Sequence, residues 1–252
     1  MEIIFLAAGL GRRMRHLTDS LPKPLVAIDG RQSILAINIE NLRFSFPESR
    51  VILVGGYQWE KISEFAQNQS GNMDVTAVFN AAYDTRGPLD SVNVGLVAAT
   101  ASRLIIANGD TLFSEELFCA ISLEVDVGAT LVVSPEVSPE DDDMRVSFDE
   151  HGRIRSARKQ PSVTQAVILS AGCLILSGSE VIQKFKIALL NALEKEKKFG
   201  RPLAWHCLIE ELYELGEEVR PLYIDREHWQ EFDSPECIEN FINRKRAPTT
   251  QF

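Results

Sequence analysis

Residues 5–26 read FLAAGLGRRMRHLTDSLPKPLV, and this stretch says most about the fold and the ligand of the chain. The apolar run Ile3–Leu6 is typical of a buried strand, and the small residues Ala7–Gly11 follow it directly. Small residues let the backbone approach a ligand closely, and successive N–H groups after a strand form a concave anion site. Four basic side chains come next: Arg12, Arg13, Arg15 and Lys23. The stretch therefore predicts a loop that binds a polyphosphate.

Gly9 and Gly11 alone would also fit a tight strand-to-helix turn that binds nothing. The two best-known phosphate motifs do not match this stretch. No Gly-Lys-Ser/Thr ending follows, as a P-loop requires, and Met14 stands where the dinucleotide fingerprint has its third glycine. The arginines and the downstream Pro22-Lys-Pro-Leu25 nevertheless favour a phosphate-binding loop over a simple turn.

Outward from this stretch, short apolar runs alternate with helical patterns. In the first half we predict strands at Met1–Ala7, Arg50–Val54, Asp74–Phe79 and Arg103–Ala107, and helices at Ser33–Phe44, Trp59–Ala66 and Asp90–Thr100. In the second half we predict strands at Gly128–Ser134, Arg145–Phe148, Ile154–Ala157, Val167–Leu176 and Val219–Tyr223, and helices at Val181–Glu196, Pro202–Leu215 and Pro235–Arg244. This order predicts the α/β class, as a single-domain, Rossmann-like, mostly parallel sheet with helices on both faces. Ligands of such sheets bind beyond the carboxyl ends of the strands.

The composition is that of an ordinary globular protein, with 45% hydrophobic and 25% charged residues among 252. The net charge is −10, whereas the basic cluster is confined to residues 12–23. One basic pocket on an acidic protein suits a small anionic ligand better than a nucleic acid. The four cysteines are scattered, as reduced thiols usually are, and no apolar run is long enough for a membrane segment. We therefore expect a cytoplasmic protein without nucleic-acid or membrane partners, and a homodimer is compatible with this composition.

A family resemblance rests on the opening stretch. Leu6-Ala-Ala-Gly-Leu-Gly-Arg-Arg-Met14, followed by Pro22-Lys-Pro-Leu25, resembles the signature of the sugar-phosphate and cholinephosphate nucleotidyltransferases. Members of that family have a glycosyltransferase-A-like nucleotide-binding fold. The family usually has Ser or Thr at the position of Arg12, so Arg13 is the match to its arginine. The compact length and the strand around Gly172 look closest to the CTP:phosphocholine cytidylyltransferase type.

The resemblance implies one nucleotidyltransferase domain over residues 1–252. Its nucleotide-binding half would be residues 1–125, and its acceptor-binding half residues 126–252. The implied partners are a nucleoside triphosphate, with CTP favoured, and a small phosphorylated acceptor such as phosphocholine or a sugar 1-phosphate. In such a reaction an acceptor phosphate attacks the α-phosphorus and pyrophosphate leaves, so positioning and cationic contacts carry the catalysis.

Two carboxylates are predicted to hold Mg²⁺. Asn108-Gly-Asp110 follows a strand and resembles the metal-binding motif of the family, although Asn-Gly segments also form ordinary turns. Asp233 resembles part of the closing Asp-Ser/Thr-Pro-Glu motif of the family, while Ser234 beside it can cap the last helix. Mg²⁺ commonly takes one or two carboxylates together with substrate phosphates and waters. We predict Asp110 and Asp233 as the ligands, with Asp225 as a weaker candidate.

The resemblance assigns roles to further side chains. Arg13 would hold the β- and γ-phosphates, Lys23 would neutralise charge near the α-phosphate, and Lys159 would contact the acceptor phosphate. Arg158 stands where the family has Glu before that last lysine. The predicted catalytic residues are therefore Arg13, Lys23 and Lys159. The predicted nucleotide-binding residues are Leu6, Ala7, Ala8, Gly9, Gly11, Arg12, Gly56, Tyr57, Ser91 and Asn108.

Several features leave alternatives open. Trp205, Tyr213 and Trp229 could line a site for a cationic acceptor, although we favour core or rim packing for the two tryptophans. We interpret the acidic run Glu140–Asp143 as a solvated loop. Two other functions compete with catalysis of nucleotidyl transfer. One is a non-catalytic nucleotide-sugar sensor on the same fold. The other is a Rossmann-type redox enzyme, against which the missing third glycine and the absence of an acidic residue after Val54 both count.

Overall fold

A computed structural model describes residues 1–69, 73–136, 140–159 and 167–246. Its strands are β1 (Glu2–Ala7), β2 (Arg50–Gly55), β3 (Asp74–Phe79), β4 (Arg103–Asn108), β5 (Thr111–Phe113), β6 (Gly128–Glu136), β7 (Met144–Phe148), β8 (Ile154–Lys159), β9 (Val167–Ser177), β10 (Val219–Tyr223) and β11 (Trp229–Glu231). Its helices are α1 (Ile34–Ser45), α2 (Trp59–Asn68), α3 (Pro88–Ala98), α4 (Glu115–Leu123), α5 (Ser179–Phe199), α6 (Cys207–Glu214) and α7 (Pro235–Arg246), with short 3-10 turns at Arg12–Thr18, Lys23–Leu25 and Arg226–His228. Residues 247–252 of the predicted domain lie outside the described part of the chain.

The main sheet has the strand order β10-β6-β9-β4-β1-β2-β3, and β7 and β8 form a hairpin beside β9. Strand β1 pairs in parallel with β2 and β4, β2 pairs in parallel with β3, and β10 with β6. Strand β9 is antiparallel to both β4 and β6. The prediction of a mostly parallel α/β sheet is therefore confirmed. Within the four described ranges, no helix combines the length and apolar character needed to cross a membrane.

The side chains of β1 explain why helices cover both faces of the sheet. Ile3 and Phe5 point to one face and pack with α1, α2 and α4, whereas Ile4 points to the other and packs with α3, α5 and α6. All three side chains are fully buried. Successive side chains of a strand alternate between faces, so a strand buried on both sides is apolar throughout. This is why polar and apolar residues do not alternate in the N-terminal run.

A second, two-stranded sheet joins the end of the chain to its first half. Strands β5 and β11 pair antiparallel, with Thr111 opposite Glu231. Just beyond this pair, the Phe232 N–H donates to the Asp110 carbonyl oxygen at 3.1 Å. The pairing therefore brings the segment that precedes α7, including Asp233, to the carboxyl end of β4.

The helix predicted at Pro202–Leu215 is wrong at its N-terminal end, because α6 begins only at Cys207. The Leu203 N–H instead donates to the Glu196 carboxylate of α5 at 2.8 Å. This bond holds the segment before α6 against the end of α5. The irregular segment carries Trp205 to the wall of the cleft described next.

Candidate functional site

A cleft of about 510 Å³ lies beyond the carboxyl ends of β1 and β4, with residues of both halves of the chain in its walls. Strand β1 lies between β2 and β4, so this is where the strand order changes direction, the usual ligand position in such sheets. Of the predicted nucleotide-binding residues, Leu6, Ala7, Ala8, Gly9, Gly11, Arg12, Ser91 and Asn108 line the cleft. The predicted catalytic and metal-binding residues line it too: Arg13, Lys23, Lys159, Asp110 and Asp233.

The loop after β1 is shaped by Gly11. Its φ of +61° lies in the left-handed region, and a Cβ there would come within 3.0 Å of Thr18 and 3.1 Å of Lys23. The Gly11 carbonyl accepts hydrogen bonds from the Met14 N–H at 2.8 Å and from the Thr18 hydroxyl at 3.0 Å. Met14, which stands in place of a third glycine, is fully buried. The loop is therefore fixed by packing beneath it and not by a dinucleotide-type helix start.

Gly56 and Tyr57 lie outside the cleft lining, behind the loop. The Tyr57 N–H donates to the Ala8 carbonyl at 3.1 Å, and its hydroxyl donates to the Thr18 carbonyl at 2.8 Å. A Cβ on Gly56 would lie 2.9 Å from the Ala8 carbonyl oxygen, so this close approach needs glycine. The sequence predicts both residues to bind the nucleotide. Their positions make them supports of the loop, because the chain that follows β2 packs against its outer side.

The far end of the cleft contains two residues that sequence reasoning missed, Tyr83 and Arg86. They belong to the segment before α3, which buried Asn80 organises. The Asn80 amide donates to the Ser91 hydroxyl at 3.0 Å, and its carbonyl oxygen accepts from the Ala82 N–H at 2.9 Å. The Gly87-Pro88 turn in the sequence was the available signal, since it marks where this wall of the cleft becomes a helix.

Three carboxylates meet at the other end of the cleft. Asp110, Glu231 and Asp233 each offer an oxygen, and these oxygens lie within 4.8 Å of one another. Only the two aspartates were predicted. Glu231 is two residues before Asp233 and follows the same alternation along the chain, which is the signal that could have identified it. Three oxygen donors at this separation fit the donor set that Mg²⁺ prefers.

The Lys23 ammonium lies between two of these carboxylates. Its Nζ is 2.7 Å from Asp110 Oδ2 and 2.5 Å from Asp233 Oδ1, and its side chain is only 9% exposed. Burial alone would lower the pKa of Lys23, but the charges of Asp110 and Asp233 outweigh it and raise that pKa. Burial together with the same two negative charges raises the pKa of Glu231 to about 8. Lys23 is therefore a fixed positive charge at neutral pH.

Asn108 is held by its neighbours. Its side-chain carbonyl accepts a hydrogen bond from the Trp205 indole N–H at 2.8 Å. Gly172 has a φ of +71°, and a Cβ there would lie 2.5 Å from the Asn108 amide nitrogen. Gly172 thus provides both an unusual backbone conformation and the space into which Asn108 packs.

Of the three aromatic residues, Trp205 and Trp229 line the cleft and Tyr213 lies outside its lining. Trp205 is buried and stacks on His206, with ring centroids 4.1 Å apart. The Arg226 guanidinium lies over the Trp229 ring, with its Cζ atom 3.8 Å from the ring centroid. Tyr213 donates its hydroxyl to Asp149 at 3.3 Å, in the turn between β7 and β8. Packing therefore explains these three aromatic side chains, and a positively charged group already occupies one face of Trp229.

The acidic run is exposed at Glu140 and Asp142, as a solvated loop requires, and Asp142 also makes ion pairs in the cleft. Asp142 forms an ion pair with Arg13 and a second one with Lys159, whose Nζ is 2.9 Å from Asp142 Oδ1. Arg13 also contacts Asp233, at 2.9 Å. Asp225 lies outside the cleft lining and begins the 3-10 turn at Arg226–His228. The sequence did not predict the ion pairs of Asp142, because Arg13 and Lys159 lie far away from it in the chain.

Comparison with known proteins agrees with this geometry. The sequence profile of the MobA-like NTP transferase domain matches residues 3–206. The bifunctional protein GlmU of Methanocaldococcus jannaschii is 24% identical over 202 residues, which are 78% of this chain and 43% of the relative. D-glycero-alpha-D-manno-heptose 1-phosphate guanylyltransferase of Aneurinibacillus thermoaerophilus is 29% identical over 121 residues, 46% of this chain and 49% of the relative. The matches thus span about half the length of these two relatives.

Solved structures show the same fold at low sequence identity. The CTP:phosphocholine cytidylyltransferase from Streptococcus pneumoniae superposes with a TM-score of 0.75 at 17% identity, over 97% of this chain and 98% of the other. The inositol-1-phosphate CTP transferase from T. maritima superposes with a TM-score of 0.73 at 18% identity, over 98% and 96%.

Proposed function

The chain belongs to the family of MobA-like NTP transferase domains, and from that premise we propose that it is a Mg²⁺-dependent nucleotidyltransferase. It would couple a nucleoside triphosphate to a small phosphorylated acceptor and release pyrophosphate. The observation that carries this proposal is the meeting, at one end of the cleft, of the basic loop with three carboxylates. Cations for phosphates and oxygen ligands for a metal are the two requirements of this chemistry.

The triphosphate would lie along the loop after β1. Backbone N–H groups from Gly9 to Arg12 would donate to its β- and γ-phosphates, and Arg13 would add a charged contact. Lys23 would lie near the α-phosphate, where its ammonium offsets the charge that builds up during transfer. Its raised pKa supports this role, since the side chain stays protonated over the physiological range.

The chemical step is a substitution at the α-phosphorus. An oxygen of the acceptor phosphate forms a new bond to that phosphorus, the bond to the β-phosphate breaks, and pyrophosphate leaves with the electron pair. The nucleophile is already an anion, so no side chain has to remove a proton from it. Asp110, Glu231 and Asp233 would hold Mg²⁺, which when bound supplies charge neutralisation and a template for both substrates.

The second half of the chain would bind the acceptor. Lys159 would contact its phosphate, and the walls near Ser170 and His206 would face the rest of it. The guanidinium on Trp229 disfavours a quaternary ammonium there, because two cations would compete for one ring. We therefore place a sugar 1-phosphate or another neutral polyol phosphate ahead of phosphocholine.

The nucleotide is assigned by resemblance. The sequence signature and the two structural neighbours named above favour CTP, whereas the heptose 1-phosphate relative is a guanylyltransferase. We propose CTP first and GTP second. A cytoplasmic location and a homodimer remain predictions from the sequence.

The test is pyrophosphate release in Mg²⁺, with CTP, GTP, UTP, dTTP and ATP each crossed with sugar 1-phosphates, inositol 1-phosphate, phosphocholine and phosphoethanolamine. We expect release with one specific pair, and none from Asp110→Asn, which should keep the wild-type melting temperature. Nucleotide binding without release for any pair would favour the nucleotide-sugar sensor. The absence of both binding and release would refute the proposal.

A further inference from the structure

Asp142 forms ion pairs with basic side chains from both halves of the chain. On one side it forms an ion pair with Arg13, which belongs to the loop after β1. On the other side its Oδ1 lies 2.9 Å from Lys159 Nζ, at the end of β8. One carboxylate is thus shared by the two cations that the proposed function gives to different substrates.

The position of Asp142 is defined by a local turn. The Glu140 N–H donates to Asp143 Oδ2 at 2.7 Å, and the Asp143 N–H donates to the Glu140 carbonyl at 3.2 Å. Met144 then begins β7 directly opposite Lys159 in the hairpin. The hairpin register therefore explains the contact with Lys159. The contact with Arg13 is different, because nothing local in the sequence requires it.

These ion pairs can be exchanged easily. The side chains of Arg13, Asp142 and Lys159 are each about half exposed, at 56%, 53% and 48%. Exposed ion pairs contribute little to stability, whereas a phosphate offers several anionic oxygens to the same two cations. By contrast, the Lys23 ammonium is almost completely buried between its carboxylates. Asp142 is therefore the carboxylate of the cleft that a substrate phosphate can most readily replace.

We propose that Asp142 is an internal competitor for the substrate phosphates. Its carboxylate holds Arg13 and Lys159 in place before substrate binds, and it is displaced when a phosphate takes over these side chains. The inference rests on the proposed function for the identity of the anion. A site whose cations are already paired binds its ligand with an affinity reduced by the fraction of time it is blocked. Asp142 would thus lower affinity for phosphates while keeping the two halves of the cleft aligned.

The inference predicts that Asp142→Asn binds phosphate groups more tightly than the wild type. The measurement is isothermal titration calorimetry of inorganic pyrophosphate against the full chain, in EDTA and low salt. We expect the dissociation constant of Asp142→Asn to fall about three- to tenfold, the range given by the weak exposed pairs that are lost. Asp142→Ser provides a second version of the change should the amide variant fold poorly.

The matched control is Asp143→Asn. This variant removes one negative charge, as Asp142→Asn does, and Asp143 also lines the cleft. Asp143, however, forms the turn, and within the described residues it makes no ion pair with Arg13 or Lys159. Its dissociation constant for pyrophosphate should stay within about twofold of the wild type. In a Lys159→Met background, Asp142→Asn should lower the dissociation constant for pyrophosphate by a smaller factor. The ion pair between Asp142 and Lys159 is already absent there, so only the pair with Arg13 remains to be removed.

Equal affinities for Asp142→Asn and Asp143→Asn, weaker binding by Asp142→Asn, or no pyrophosphate binding by any variant would overturn the inference. These readouts need no turnover, so they are separate from the test of the proposed function. A chain without transferase activity could still bind pyrophosphate more tightly after Asp142→Asn, and an active chain could fail to do so.

Discussion

Lys23 lies between Asp110 and Asp233, where we propose that the reaction takes place. Its ammonium is within hydrogen-bond distance of both Asp110 and Asp233 and is shielded from water, so its charge acts with little screening. A fixed cation here would stabilise the charge that develops at the α-phosphate without having to move.

Replacement of Lys23 should therefore affect rate far more than substrate affinity. We expect Lys23→Ala to lower kcat by about two to four orders of magnitude, the usual loss when one preorganised charge is removed. The measurement is steady-state pyrophosphate release at saturating Mg²⁺. Lys61→Ala, on the exposed side of α2, serves as the control and should retain wild-type activity. A loss below tenfold would make Lys23 a structural residue.

Glu231 is the carboxylate that sequence reasoning missed, and its contribution can be measured directly. We expect Glu231→Gln to raise the Mg²⁺ concentration for half-maximal activity by roughly tenfold, because the amide cannot give up a proton to become a carboxylate ligand when the metal binds. The control is Glu227→Gln, since Glu227 is 81% exposed on the preceding turn. An unchanged Mg²⁺ requirement in Glu231→Gln would limit the metal site to the two aspartates.

His206 gives the fold a pH dependence of its own. Burial, with a smaller effect from the charge of Lys159, lowers the pKa of His206 to about 3. Its ring nitrogen Nε2 lies 3.1 Å from the Ser170 hydroxyl. The unfolded chain takes up a proton near the ordinary histidine pKa of about 6.5, whereas the folded chain does not. Stability contributed by the neutral ring is therefore present above about pH 6.5 and is lost as the pH falls toward 3.

Urea unfolding at pH 7.5 and pH 5 tests this linkage. Between these values His206→Gln should lose about 2 kcal/mol less stability than the wild type, since it lacks the proton uptake on unfolding. His151→Gln, which removes an exposed histidine, should instead follow the wild type. Parallel losses in the wild type and His206→Gln would show that His206 is not the titrating group.

At the scale of elements, the pair β5–β11 does most to assemble the site. One edge of β5 pairs with β11, and two asparagine side chains of helix α1 form hydrogen bonds with the backbone at its other edge. Buried Asn38 donates to the Thr111 carbonyl at 2.8 Å and accepts from the Phe113 N–H at 2.9 Å. Asn41 donates to the Phe113 carbonyl at 2.8 Å. These three backbone groups of β5 therefore have hydrogen-bond partners in α1.

Asn38→Leu should destabilise the protein and loosen the metal site together. It leaves a buried N–H and a buried carbonyl without partners, so we expect the free energy of unfolding to fall by about 2–4 kcal/mol. Mg²⁺ should also bind more weakly, since β5 positions the strand that carries Glu231. Asn41→Leu removes a single, partly exposed bond and should lose only about 1 kcal/mol. Equal losses in the two variants would contradict this role of Asn38. Urea unfolding and Mg²⁺ titration measure the two effects.

The elements also show what sequence can and cannot predict here. The sheet was predictable because strands such as β1 are buried on both faces and carry an uninterrupted apolar run. The three-residue strands β5 and β11 were not predicted, since runs this short have no periodicity to detect. Glu231 was missed for that reason. The ion pair of Asp142 with Arg13 and the hydrogen bond of Tyr57 to Thr18 were not predicted, because these partners are remote in sequence.

At the scale of the whole molecule, residues from both halves of the chain line the cleft. The first half contributes the basic loop after β1 and Asp110, and the second half contributes Lys159, Glu231 and Asp233. A site built from both halves can hold two substrates side by side, which proximity catalysis requires. The whole chain has a net charge of −10, which would repel anions from most of its surface, whereas Arg12, Arg13, Lys23 and Lys159 would attract them to the cleft.

The most direct test of the central claim follows the oxygen atoms of the acceptor. The acceptor phosphate is labelled with oxygen-18, incubated with the active nucleotide and Mg²⁺, and both products are analysed by mass spectrometry. Attack on the α-phosphorus predicts that all the label stays in the nucleotide-linked product and none enters pyrophosphate. Label in pyrophosphate, or formation of a linked product by Asp110→Asn at the wild-type rate, would contradict the account.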